Sequence, residues 1–174
     1  MSKVLFEETQ RNIIFFIIPI PLAVAFGAMA AIQIISGKPI GSKPSPDFVL
    51  VLIFLFMAAF AFLMGRQKLK TEITEDEITY SSEIFFSGKT ATRFSNVKSI
   101  TIRKYKPMKE FMGWGVKWNS TTDCFTMSGD IGLELTLANN KKILIGTQKP
   151  AELKLVLENY FKDKLETVVE NKIQ

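Results

Sequence analysis

Two long runs without a charged residue constrain this chain more than any other feature. The first run extends from Ile13 to Ile35 and holds 23 residues, and the second extends from Phe48 to Met64 and holds 17. About 20 apolar residues are enough for a helix to cross the hydrocarbon core of a bilayer. The runs therefore predict a transmembrane hairpin, with one span at residues 13–35 and the other at 48–65.

Two alternative interpretations of the runs compete with this hairpin. A buried core helix would suit the second run, but the first run is too long for the core of a small soluble domain. A cleaved signal peptide would suit the first run, because Ala28-Met29-Ala30 resembles a cleavage site. However, the apolar run continues beyond that site to Ile35, and Glu7 and Glu8 leave the start of the chain barely basic. We therefore expect the first helix to be retained.

Prolines and small residues predict details of the two helices. Pro19 and Pro21 remove backbone donors, so we expect a kink, or a helix that becomes regular only after Pro21. Small side chains let membrane helices approach closely. They recur at helical spacing and predict the packing face: Ala23, Gly27, Ala30, Ala31, Ala58, Ala61 and Gly65.

Positive charge near the ends of the runs predicts the orientation. Five cations lie on the side that carries both termini: Lys3, Arg11, Arg66, Lys68 and Lys70. The connecting loop, residues 36–47, carries only Lys38 and Lys43. Because positive charge accumulates on the cytoplasmic flank, both termini are predicted to be cytoplasmic in an inner (plasma) membrane. Residues 1–12 would then be a cytoplasmic segment, and the loop, without structure of its own, would be extracytoplasmic.

Residues 66–174 predict a cytoplasmic β-rich domain. Short segments of β-branched and aromatic residues alternate with turn signals, which is typical of an antiparallel barrel or sandwich, here of about seven strands. From about residue 150 the pattern becomes that of an amphipathic helix. Its apolar positions are Leu153, Val156, Leu157, Tyr160, Phe161, Leu165 and Val168. The fold class expected is therefore a membrane-anchored α+β protein, and residues 69–166 are expected to fold without the anchor.

The outline of this domain resembles a pleckstrin-homology-like (PH-like) barrel. Three blocks in order are similar to small bacterial membrane proteins that have two spans and a PH-like domain. These blocks are residues 112–116 (MGWGV), 127–135 (MSGDIGLEL) and 143–153 (ILIGTQKPAEL). The resemblance implies a fold and no substrate, since the family has no assigned biochemical role.

The composition argues against several classes of activity. The chain has no His and one Cys, Cys124, so an intrachain disulfide and a Cys/His metal site are both excluded. The commonest general base is missing as well. We find no catalytic constellation and no phosphate-binding loop, and we expect no enzyme activity, no metal or other cofactor and no nucleic-acid partner.

The segment from Lys98 to Lys117 is the most uneven in charge, with six cations against Glu110 alone. Basic residues interleaved with aromatic ones are typical of contact with an anionic membrane surface. A membrane-protein partner, a second copy of the chain or an ordinary solvated face are the alternatives. The candidate contact residues are Lys98, Arg103, Lys104, Lys106, Lys109, Phe111, Trp114 and Lys117.

Two functions therefore remain open at this point. One is a non-enzymatic, membrane-tethered binding or assembly module on the cytoplasmic face. The other is a small accessory subunit of a transporter or lipid-handling complex, whose spans make the functional contacts. A working span usually carries an intramembrane charge, whereas Gln33 is the strongest polar side chain in these runs.

Overall fold

The computed structural model describes residues 3–12, 14–41, 43–82, 86–118 and 120–168. The chain divides into a helical unit, residues 12–67, and a β-rich unit formed by residues 1–11 and 68–174. Ile13, where the first span was predicted to begin, and residues 169–174, at the end of the predicted domain, lie outside the described residues. Within them the fold class is α+β, with a helical hairpin, two β-sheets and a C-terminal helix.

The described residues of the helical unit form three helices, α1 (Ile14–Ile17), α2 (Pro19–Ser36) and α3 (Asp47–Gly65). Helices α2 and α3 pack against each other and are both long and apolar enough to cross a membrane. The helix is interrupted at Ile18, directly before Pro19. The interruption agrees with the predicted kink, whereas the alternative of a helix that is regular only after Pro21 is wrong, since α2 begins at Pro19. Proline suits the first turn of a helix, where its missing N–H costs nothing.

Small residues lie where the helices of this unit approach one another, α2 against α3 and α1 against α3. Ala23, Ala30 and Ala61 are buried. A Cβ added at Gly27 would come within 2.9 Å of the Phe54 ring, and one at Gly65 would collide with the ring of Phe16. The predicted small-residue face is thus confirmed at these positions.

Two predicted positions differ: Ala31 is exposed and lies off this face, and Ala58 is half-buried. The remaining surface of the helices is strongly apolar. In α3, Leu50 and Ala61 are the buried side chains, whereas Phe48 is 72% exposed and Leu52 is 65% exposed. A core helix of a soluble protein would bury most of its surface, so this pattern favours an apolar solvent around the hairpin.

Gln33 organises the loop between α2 and α3. Its side-chain amide donates to the backbone oxygen of Ser45 at 2.9 Å and to Oδ1 of Asp47 at 2.6 Å. Its side-chain oxygen accepts from the backbone N–H of Ile40 at 3.1 Å. The loop has no helix or strand among its described residues, yet one buried side chain holds three of its groups. The strongest polar side chain of the predicted spans is therefore used inside the hairpin.

The β-rich unit contains two sheets. The first has four antiparallel strands in the order β1-β2-β3-β4: β1 (Val4–Gln10), β2 (Leu69–Thr74), β3 (Glu77–Ser82) and β4 (Phe86–Arg93). The second has six strands: β5 (Val97–Lys104), β6 (Gly115–Trp118), β7 (Thr122–Thr126), β8 (Ile131–Leu137), β9 (Lys142–Gly146) and β10 (Leu165–Val168). Their order is β10-β5-β8-β9-β7-β6. Helix α4 (Pro107–Phe111) follows β5, and helix α5 (Pro150–Tyr160) follows β9.

This arrangement corrects three features of the predicted fold. Of the two predicted alternatives, barrel or sandwich, the barrel is wrong, because the described strands form two sheets and no closed barrel; these strands number ten rather than about seven. Two pairs, β5 with β10 and β7 with β9, are parallel, so the second sheet is mixed rather than antiparallel. Parallel partners are distant in sequence, and the local alternation of apolar residues carries no information about them.

Strand β1 was not foreseen, and it connects the two sheets. Its Glu8 carboxylate is 4% exposed and accepts from the Thr147 hydroxyl and the Gln148 backbone N–H, both at 2.7 Å. The Gln10 side chain donates to the backbone oxygen of Gly146 at 2.5 Å. The inward side of β1 thus includes polar residues, so the strand lacks the alternation of apolar residues from which strands are predicted.

Helix α5 begins at Pro150, as predicted, and buries Leu153 and Leu157. It ends at Tyr160, although the apolar pattern had suggested a longer helix. Phe161 instead packs on Phe94, with ring centroids 4.1 Å apart. The later apolar position Leu165 begins strand β10, which lies beside β5.

Candidate functional site

The predicted contact segment is distributed over β5, α4 and β6, and the structure does not gather it into one surface. Lys98 is exposed near the start of β5, and Lys104 ends the same strand. Six residues of strand span about 20 Å, so Lys98 lies well away from α4. Lys117 is half-buried on β6, opposite Cys124.

Arg103 is engaged in the sheet and is not a surface cation. Its guanidinium contacts Glu134 at 2.6 Å on the neighbouring strand β8 and Glu110 at 3.0 Å on α4. Burial alone would lower the pKa of Arg103, but these two carboxylates outweigh burial and raise it. Arg103 therefore joins α4 to the sheet.

Glu110 completes this connection from the other end. Its second carboxylate oxygen accepts from the backbone N–H of Lys106 at 2.7 Å, at the start of α4. This contact satisfies a donor that a helix start leaves unpaired. Met112 follows the helix with a positive φ of 55°, and its N–H returns to the carbonyl of Pro107. A helix of five residues is thereby fixed in place.

The two predicted aromatic contact residues have different roles. Phe111 is 9% exposed and packs edge-on against Tyr105, with ring centroids 6.2 Å apart, beside Cys124. Trp114 is half-buried, and its indole N–H donates to the backbone oxygen of Gly129 at 2.7 Å. Phe111 therefore belongs to the core, and the indole ring of Trp114 is held by the hydrogen bond of its N–H.

Three exposed apolar side chains lie in this segment or directly after it, and none of them is among the candidate contact residues. Met112 is 85% exposed, Met108 is 68% exposed and Trp118 is 61% exposed. Met108 lies on α4, and Met112 directly follows the helix with its positive φ. The signal that could have identified these two methionines is the short Pro-started helix before Gly113, since four or five residues cannot bury every side.

Three lysines surround these methionines in sequence. Lys106 and Lys109 are exposed, and neither has an acidic partner within the described part of the chain. Lys104 contacts Asp130 at 3.0 Å, but its side chain is 60% exposed. An ion pair with this much exposure to solvent contributes little to stability. We call Lys104, Lys106, Met108, Lys109 and Met112 the α4 tip.

The described side chains can be assessed for two kinds of chemistry, metal binding and thiol reactivity. Among the described residues no group of three His, Cys, Asp or Glu side chains could hold a metal ion. Burial raises the pKa of the Cys124 thiol to about 11, so this thiol is protonated at neutral pH. A protonated, buried thiol is a poor nucleophile.

Comparison with known proteins identifies no relative: no protein-family model matches the chain, and no curated protein sequence matches it. What can be said of function therefore depends on the geometry alone. The chain is a helical hairpin of membrane-spanning length joined to a β-rich unit with a C-terminal helix.

Proposed function

We propose that this chain is a membrane-tethered binding or assembly module without catalytic activity. In this proposal the hairpin crosses the inner (plasma) membrane twice, and the β-rich unit works on the cytoplasmic face. A PH-like fold remains part of the proposal, supported by the antiparallel strands and the helix that closes the unit, although β1 and the parallel pairs add to that outline.

One observation carries the proposal: strands on either side of the hairpin pair with each other. Gln10, at the end of β1, is opposite Leu69, at the start of β2, and the pairing continues to Val4 and Thr74. Both connections to the hairpin therefore leave the β-rich unit side by side. A helical pair whose two ends must lie together can cross a bilayer twice but not once, which supports the hairpin topology.

The accessory-subunit alternative receives less support. In such a role, polar side chains within the spans usually contact the partner protein. Gln33 already bonds to Ile40, Ser45 and Asp47 of its own loop. The hairpin thus presents apolar side chains suited to anchoring.

The α4 tip is the surface that we assign to the membrane. Met108 and Met112 supply exposed apolar side chains, and the lysines supply positive charge beside them. Each Lys near anionic headgroups contributes roughly 1 kcal/mol. The alternative is that the α4 tip contacts a protein partner, and a labelling experiment distinguishes lipid contact from protein contact.

The test uses the full chain in lipid nanodiscs, with an environment-sensitive fluorophore on Met112→Cys. Cys124 is fully buried and does not compete for the label. We expect a blue shift of emission in anionic discs and none in neutral discs. Added salt should reverse it, because exposed charges are screened beyond about 8–10 Å. Replacing Lys104, Lys106 and Lys109 with Gln should remove most of the shift.

The matched control carries the fluorophore on Asn159→Cys, an exposed position of α5. Its emission should be the same in both kinds of disc. Equal shifts of the Met112 label in neutral and anionic discs, or an unchanged shift in the triple variant, would contradict lipid contact. The α4 tip would then be assigned to a protein partner, to be sought by crosslinking in native membranes.

A further inference from the structure

A second basic feature lies on the first sheet, away from the contact segment. A cavity of about 250 Å³ is lined by Thr9, Lys68, Lys70 and Ser81. Thr9 of β1 is directly opposite Lys70 of β2, which is directly opposite Ser81 of β3. The three side chains therefore form one row across three strands. Lys68, directly before β2, lines the same cavity.

The neighbouring row shows which face this is. Glu8, Thr71 and Tyr80 are each one residue away from members of the cavity row, and all three are buried. Successive strand residues point to opposite faces. The cavity row accordingly lies on the outer face, where Thr9 is exposed and the Lys70 side chain is 49% exposed.

The lining has the chemistry of an anion site. Two ammonium groups and two hydroxyls all donate hydrogen bonds, and the described residues of the lining include neither a carboxylate nor an apolar side chain. This donor set suits the oxygens of a phosphate group and neither a metal ion nor an apolar ligand.

Glu7 is the internal competitor for this site. Its carboxylate contacts Lys70 at 2.7 Å, and both side chains are about half exposed. The hydrogen bond and charge of Lys70 lower the pKa of Glu7, and Glu7 raises the pKa of Lys70, so both stay ionised at neutral pH. A phosphate that enters the cavity would share Lys70 with this carboxylate or replace it.

We propose that the cavity lined by Thr9, Lys68, Lys70 and Ser81 binds a phosphate group, carried either by an anionic lipid headgroup or by a free phosphate. Lys68 follows Gly65, the last residue of α3, by three residues, so headgroups are an available source if the hairpin spans the membrane. The proposal depends on that tether only for the source of the phosphate and does not depend on the α4 tip.

The test uses the full chain in maltoside micelles, which contain no phosphate. Inorganic phosphate and a short-chain phosphatidic acid are titrated separately, with the matching diacylglycerol as the uncharged probe. We expect saturable shifts of the Thr9 and Ser81 amide resonances with phosphate-bearing probes and none with diacylglycerol. The double variant Lys68→Gln, Lys70→Gln should bind at least about tenfold more weakly. Glu7→Gln should bind more tightly.

The control variant Lys104→Gln, Lys106→Gln removes the same charge from the α4 tip and should bind phosphate as the natural chain does. Thermal unfolding of every variant verifies that the fold persists. Shifts with both probes indicate a site open to free phosphate, and shifts with the lipid alone indicate a headgroup site. No saturable shift, or equal affinity in the Lys68 and Lys70 variant, overturns the proposal. Either result leaves the nanodisc test of the α4 tip unaffected.

Discussion

Glu134 shows how one side chain determines the charge balance of the second sheet. This buried carboxylate accepts from Arg103 at 2.6 Å and from Lys142 at 2.8 Å. Burial alone would raise the pKa of Glu134, but the two cations outweigh burial and lower it below 4.5. The folded state therefore holds its proton less tightly than the unfolded chain. Its stabilisation is fully present above about pH 4.5 and is lost as the pH falls through the folded pKa.

We predict that Glu134→Gln lowers the free energy of unfolding by about 1–3 kcal/mol at pH 7, because Arg103 keeps its charge with a weaker partner. The variant should also lose less stability than the natural chain between about pH 5 and pH 2. Denaturant unfolding followed by tryptophan fluorescence measures both effects. Lys104→Gln, which breaks an exposed pair, should cost less than about 1 kcal/mol. Equal costs for the two variants would contradict this account.

The residue types alone could not show which cations of the segment form ion pairs within the sheet and which are exposed. Arg103 and Lys106 look equivalent in sequence, yet the partner of Arg103 is Glu134, 31 residues away on another strand. Similarly, Phe111 and Met112 are adjacent, but one is buried and the other is 85% exposed. The sequence identified the segment, while strand pairing decided which of its side chains remain at the surface.

At the scale of elements, helix α5 offers a direct test of packing. Leu157 is fully buried and Leu155, two residues earlier on the same helix, is 62% exposed. We predict that Leu157→Ala costs about 2–5 kcal/mol of unfolding free energy, through lost burial and the cavity left behind. Leu155→Ala should cost less than about 0.5 kcal/mol. Thermal or denaturant unfolding of the two variants gives the comparison, and similar midpoints would mean that α5 does not pack as described.

Elements were predictable where their buried side is apolar. The start of α5 meets that condition, and the two long helices were predictable because their runs carry no charged residue on any side. Strand β1 does not, because Glu8 and Gln10 face inward and bond to the backbone and side chains of Gly146–Gln148. The end of α5 was mispredicted for a related reason, since strand β10 continues an apolar pattern that fits a helix equally well.

At the scale of the whole molecule, β1 changes what counts as a separable domain. Residues 69–166 were expected to fold without the anchor, but this fragment leaves β2 without β1, one of its two partner strands. It also removes Glu8, whose carboxylate bonds to Thr147 and Gln148. The sequence placed residues 1–12 outside the domain because the apolar hairpin interrupts the β pattern.

We therefore predict that residues 3–11 joined to 68–168 by an Asn-Gly turn form a soluble, cooperatively unfolding protein. Gln10 and Leu69 are opposite each other, and Asn-Gly suits a two-residue connection between antiparallel strands. The fragment 68–168 alone should show no cooperative transition or a much lower midpoint in denaturant. Gel filtration and circular dichroism make the comparison. If the fragment is as stable as the joined protein, β1 is dispensable for folding.

The pairing of β1 with β2 also fixes an order of events during synthesis. The ribosome makes β1 first, but the residues opposite it begin only at Leu69. At about 5–20 residues per second, the intervening chain takes roughly 3–12 s to appear. In the proposed topology both helices enter the bilayer during that interval, and β1 stays unpaired on the side where synthesis continues. If the hairpin crossed the bilayer only once, β1 and β2 would lie on opposite sides and could not pair. Formation of the first sheet would therefore indicate that the hairpin has crossed twice.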